Sequence, residues 1–171
     1  MPYYFATTLP VAFDEAVQRT TDALKAEGFG VITQIDVRAT FKDKLGIDFR
    51  DYRILGACNP SLAHEALQLE DKVGAMLPCN VVVQALGPRQ TEVAAIDPVA
   101  SMHAIDNPQL KLAAAQVQAR LKRVVERLGA AACALLDQKL DRELADSGPA
   151  GDPPALTDPA GGARDCCGPA L

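Results

Sequence analysis

Cys79-Asn80-Val81-Val82-Val83-Gln84-Ala85-Leu86-Gly87-Pro88-Arg89-Gln90-Thr91-Glu92-Val93-Ala94-Ala95-Ile96-Asp97-Pro98 is the stretch on which the fold turns. Asn80 to Leu86 is the most apolar strand candidate, Gly87-Pro88 is a turn, and Thr91 to Ile96 is the hairpin partner, closed by Asp97-Pro98. Side chains alternate across a strand, so Val81, Val83 and Ala85 point one way and Val82, Gln84 and Leu86 the other. Both faces are therefore largely apolar. Helices are expected to cover one, and a sheet-on-sheet homodimer would cover the second.

Upstream, Tyr3 to Thr8 has β character, and after Pro10 the positions Phe13, Val17, Thr20 or Thr21 and Leu24 recur at helical spacing until Gly28, a natural left-handed stop. Phe29 to Ala39 reads as a second strand, Lys42, Asp43, Lys44 and Gly46 as a polar connection, and Tyr52 to Gly56 as a third strand. Asn59 is a favoured N-cap and Pro60 is preset for the first helical position. Leu62, Ala66, Leu69 and Val73 give that helix its apolar stripe, and Gly74 weakens its end. A last helix follows Asn107-Pro108, with Leu110, Ala114, Val117, Leu121, Val124 and Leu128 on one face; Leu135, Leu136, Leu140 and Leu144 can prolong it past Gly129. The order β-α-β-β-α-β-β, then a C-terminal helix, predicts an α+β two-layer sandwich with a mostly antiparallel sheet.

Composition divides the chain. Residues 1–128 carry the folded pattern and 129–145 a helical extension, whereas residues 146–171 hold five Pro and five Gly without periodicity and are expected to be a flexible tail. Among 171 residues, 17 are basic and 22 acidic, a net charge of −5 that argues against nucleic acid as a partner, because phosphate binding relies on Lys and Arg. No uncharged apolar run approaches the roughly 20 residues that span a bilayer, and the first residues lack a basic, then apolar, leader pattern. An odd count of five cysteines fits a reducing compartment better than a disulfide framework. The expected location is cytoplasmic.

The chain contains no P-loop, dinucleotide fingerprint, G-x-S-x-G or H-E-x-x-H motif. Chemistry therefore centres on Cys58 and Cys79. Cys58 precedes a helix start, where unpaired backbone N–H groups and the positive end of the helix dipole favour a thiolate. Cys79 lies between Leu77 and Val81, which should raise its thiol pKa and give it a structural part. An unbroken helix from residue 60 to 76 would hold the two about 24 Å apart, so they form one site only if that helix is interrupted and folds back, or if a second subunit contributes. Cys58 alone equally suits a small buried side chain in a strand-to-helix turn.

His64 is the histidine nearest a thiol, a candidate for metal or acid–base work against the plainer expectation of a partly exposed side chain. His103 has no partner in sequence, and the cluster Arg50, Asp51, Tyr52, Arg53 reads more simply as solvated charge than as an anion site. Cys133 reads as a buried helical residue. Cys166-Cys167 in the tail suit capture of a soft metal ion or a mixed disulfide, against an unselected tail that happens to hold cysteines.

Residues Tyr52 to Pro60, Ala63 to Leu67, Val73 to Val83 and Asp97-Pro98, recurring in order with their spacing, resemble the small bacterial and archaeal proteins of the DUF302 family. The resemblance spans about residues 1–128 and implies an α+β fold that associates as a dimer. It implies no activity, and the cofactor is unknown. The expectation is a non-enzymatic homodimeric protein that binds a small ligand or soft metal ion near Cys58, with Asn59, His64, Cys79 and Asn80 about it. The alternative is a thiol-dependent redox or sulfur-handling protein in which Cys58 carries an adduct that Cys79 or a tail thiol resolves.

Overall fold

The computed structural model of the chain describes residues 2–146, with side chains up to Gln138. The elements run β1 (Tyr4–Leu9), α1 (Phe13–Ala26), β2 (Gly30–Asp36), α2 (Val37–Leu45), β3 (Tyr52–Cys58), α3 (Pro60–Leu69), a 3₁₀ turn (Asp71–Met76), β4 (Cys79–Gly87), β5 (Gln90–Ile96), α4 (Pro98–Ser101) and α5 (Pro108–Asp146). The five strands form one antiparallel sheet in the order β1-β5-β4-β3-β2. The α+β architecture with an antiparallel sheet is as the sequence predicts.

The hairpin sets the core. Val81 and Val83 of β4 and Val93 and Ala95 of β5 point inward and are fully buried. They meet Leu24 of α1 and Leu121 and Val124 of α5 in one continuous core. Each such large aliphatic side chain contributes about 1.5–3 kcal/mol by leaving water. Gly28 ends the α1 turn at φ +83°, the left-handed conformation that a side chain rarely adopts. Its carbonyl accepts from Asn59 Nδ2 at 2.9 Å, which ties the end of α1 to the start of α3.

Several local expectations are corrected. The second strand ends at Asp36 rather than Ala39, and the polar connection is helical: α2 begins where Asp36 accepts from Ala39 N at 2.8 Å and stops at left-handed Gly46. That helix buries no residue, so its sequence carries no apolar period to betray it. It also lies away from the main core, with Phe41 beside Ile35, Tyr52 and Ile54 on the other face of β2 and β3, so the helices are not all on one side. The third strand continues to Cys58, and the helix after it stops at Leu69, where Glu70 is extended (φ −152°, ψ 108°). The C-terminal helix does run through Gly129, in one piece to Asp146.

Smaller ties fix α5 across the sheet. Asn107 caps it, accepting from Gln109 N and Leu110 N, and donates to the Leu69 carbonyl at the end of α3. Asp97 accepts from Gln118 Nε2 and from the first amides of α4. Glu27, at the end of α1, pairs with Arg123 and Arg127.

Candidate functional site

Cys58 is the last residue of β3 and Cys79 the first of β4, and these strands are neighbours. Ala57 pairs with Cys79 in the register, so the two thiols occupy the same end of the sheet. The chain between them leaves along α3, breaks at Glu70, whose carboxylate accepts from Lys72 N, and returns through the 3₁₀ turn and the cis Leu77–Pro78 peptide. The interruption that would bring the thiols together is present, and no second subunit is needed to unite them. Asn59 caps α3 by accepting from Leu62 N at 3.1 Å, with Pro60 at the first helical position.

Cys58 and Cys79 both line one cavity of about 30 Å³. Phe29, Ala57 and the strand ends wall it on one side, α3 supplies Leu62 and Ala66, and Leu110, Ala114 and Val117 of α5 close it opposite. It lies on the seam between the main core and a smaller one built from Ala66, Val73, Met102, Leu110 and Ala114. Among the described residues, Asn59 is the one polar side chain apart from the thiols to line it, and both its ends are engaged, Oδ1 by Leu62 N and Nδ2 by the Gly28 carbonyl. Cys79 is 6% exposed, and burial, followed by the nearby Cys58, pushes its thiol up to about 11. Cys58 is only half-buried.

The strands approach closely here because of Gly56. A Cβ at that position would stand 2.1 Å from Thr33 Oγ1 and 2.7 Å from Pro78 Cγ, so only glycine lets β2 and the Leu77–Pro78 segment close over β3.

Of the residues expected at the site, the structure unites Cys58, Asn59 and Cys79. His64 is exposed on α3 and does not line the cavity. Asn80 is exposed and points to the opposite face of β4, beside Val82 and Gln84. His103 is exposed, Cys133 is half-buried on α5, and Arg50 donates to Gln84 Oε1 while stacking over Phe49 and Tyr52. Arg53 pairs with Asp36 and Arg38 with Asp51, so Asp51 and Arg53 are both matched by charges from β2 and α2. Cys166 and Cys167 lie outside the described residues. Among the described residues no three His, Cys, Asp or Glu side chains converge as metal ligands.

Sequence reasoning missed one cavity residue of chemical interest, Met102. It is 6% exposed at the end of α4 and adds a thioether to the two thiols. Its burial amid the polar string Ser101, His103, Asp106 and Asn107 has no local signature. Asp97-Pro98 was the available hint, because an N-cap followed by Pro opens a helical turn that can aim a side chain back at the sheet.

Residues 5–128 match the model of a family described as a domain of unknown function, DUF302. The fold is similar to the crystal structure of an uncharacterized conserved DUF302 protein from Bacillus stearothermophilus, with 30% sequence identity and a TM-score of 0.69, over 75% of this chain and 99% of that one. No curated protein matches the chain.

Proposed function

Since the chain belongs to the DUF302 family, whose function is undefined, we propose from its own geometry that it is a non-enzymatic, homodimeric binding protein that holds a small soft ligand between Cys58 and Cys79. The observation that carries this reading is the shared cavity: two thiols that are distant in sequence line the same apolar recess. Sites for organic molecules commonly measure about 300–1,000 Å³. A volume of about 30 Å³ instead suits an ion or a group of one or two heavy atoms. Among the described residues no Asp, Glu, His, Lys or Arg lines the recess, so it offers no acid–base pair and favours retention of a ligand over its turnover.

The outer face of the sheet supports the dimer. Val82, Ala94 and Ile96 are half-buried there, and Leu86 (50% exposed) and Tyr4 extend the apolar surface. Cys58 and Cys79, unlinked though they line one cavity, suit a reducing compartment such as the cytoplasm, and no described helix is long and apolar enough to cross a membrane.

Native mass spectrometry of the full chain, isolated anaerobically from its own host, tests the reading. A dimer carrying an added mass that Cys58→Ser removes is expected. A bare monomer, with Cys58 inert to iodoacetamide until the protein is unfolded, would overturn it. The same juxtaposition of thiols also favours the redox reading, with Cys58 oxidised first and buried Cys79 resolving. Mild oxidation that quantitatively links Cys58 to Cys79, with loss of two hydrogens, would select that alternative.

A further inference from the structure

We propose that the recess is a three-sulfur site for a single monovalent copper ion, Cu(I), with the thiolates of Cys58 and Cys79 and the thioether of Met102 as its donors. This rests on the reading of the recess as a soft-ligand site and narrows it to one ion and one donor set.

The chemistry of the lining supplies the argument. With Asn59 engaged at both ends, the remaining side-chain heteroatoms carried by the described residues that line the cavity are all sulfur. Hard ions such as Mg(II) and Ca(II) need several oxygen ligands, and zinc takes four donors in a closed structural site. Neither set is available among the lining side chains. Thiolate and thioether together are the donor types that select Cu(I). The volume of about 30 Å³ admits an ion and is too small for a bulky chelate.

The three donors come from separately anchored places. Cys58 ends β3 and Cys79 begins β4, adjacent strands in register. Met102 is held by its backbone N–H to the Pro98 carbonyl at 3.0 Å, on a turn that Asp97 caps and Gln118 of α5 braces. A buried Met is often a flexible gap-filler, and leucine of similar size would fill this gap as well. What leucine cannot do is donate to a metal. Binding exchanges two S–H bonds for two Cu–thiolate bonds, adds one dative bond from the Met102 thioether, releases two protons to solvent and changes no oxidation state. The centre keeps one negative charge, beside the N-terminus of α3, whose dipole favours it.

The test is an anaerobic competition between the full chain, carrying Cys166→Ser and Cys167→Ser to remove the tail thiols, and the chromophoric Cu(I) chelator bathocuproine disulfonate. One Cu(I) per chain is expected, with three sulfur neighbours by X-ray absorption. Loss of even an outer-shell partner weakens metal sites roughly 10- to 100-fold, so Met102→Leu should weaken binding by at least about tenfold while the melting temperature of the metal-free protein stays unchanged. Cys58→Ser should abolish binding, as should Cys79→Ala, chosen because its side chain suits the apolar site. Equal binding by Met102→Leu, or a two-sulfur spectrum, would overturn the three-sulfur assignment and leave the soft-ligand reading standing. If the starting protein retains no Cu(I) but captures Hg(II) on Cys58 and Cys79, the copper assignment fails alone. If it captures neither ion, both readings fail.

Discussion

At Cys79 the physical state follows from position: a thiol at the inner end of a central strand is desolvated, and Cys58 beside it adds a further penalty for charge. Its pKa rises from 9.0 to about 11, which means that the folded state holds a proton that the unfolded state gives up earlier. The native protein then binds more protons in this range, so stability is full below about pH 9 and declines as pH rises toward 11. Urea melts across that interval should show the decline, and Cys79→Ala should remove it. Gly56 is the other residue whose identity is dictated. Adding a methyl 2.1 Å from Thr33 Oγ1 and 2.7 Å from Pro78 Cγ forces two segments apart, and Gly56→Ala is expected to cost about 1–3 kcal/mol as an overpacking change. Unchanged chemical denaturation would show that the segments yield freely.

Among the elements, α3 is positioned more by its cap than by its packing, since Ala66 is its one buried residue. Asn59 both caps the helix and holds the Gly28 carbonyl, so Asn59→Ala should destabilise the protein by about 1–2 kcal/mol and loosen the wall of the recess. Hydrogen exchange should rise in α3 before it rises in β4. Helix α2 depends still more on its cap, as it buries nothing. The Asp36 carboxyl is held below its ordinary value mainly by the Ala39 N–H, with Arg53 assisting. A depressed carboxyl stabilises above its unfolded value, about 3.9, and loses that contribution as pH falls through the folded one. Protection of the α2 amides, measured against their intrinsic exchange rate at each pH, should therefore fall below about pH 4 while the central strands stay protected, and α2 amides that kept their protection in acid would show that the cap matters little.

For the whole molecule, the exposed sheet face is the feature that a monomer leaves unexplained. Val82→Glu places a charge at its centre, opposite Ala94, without touching the buried Val81 and Val83. Sedimentation should report a dimer for the native chain and a monomer for this variant, with little change in thermal stability of the monomer; a variant that remains dimeric would direct attention to another surface. The sequence by itself determined the sheet hairpin, the helix that follows Pro10, the capped start at Asn59-Pro60 and the long final helix, because alternation, 3.6-residue periodicity and N-cap chemistry are local properties written in neighbouring residues. It also marked Cys58 and Cys79 as the residues of interest. Only the tertiary structure decided that they share a recess, since that depends on the break at Glu70 and on the β3–β4 register, which sets Ala57 opposite Cys79. Helix α2 stayed hidden because an exposed helix has no apolar stripe, and Met102 because its burial is imposed by α5 crossing from a distant part of the chain. Local chemistry limits what a segment can become, whereas the burial of one segment by another is settled by packing, which no single window of sequence contains.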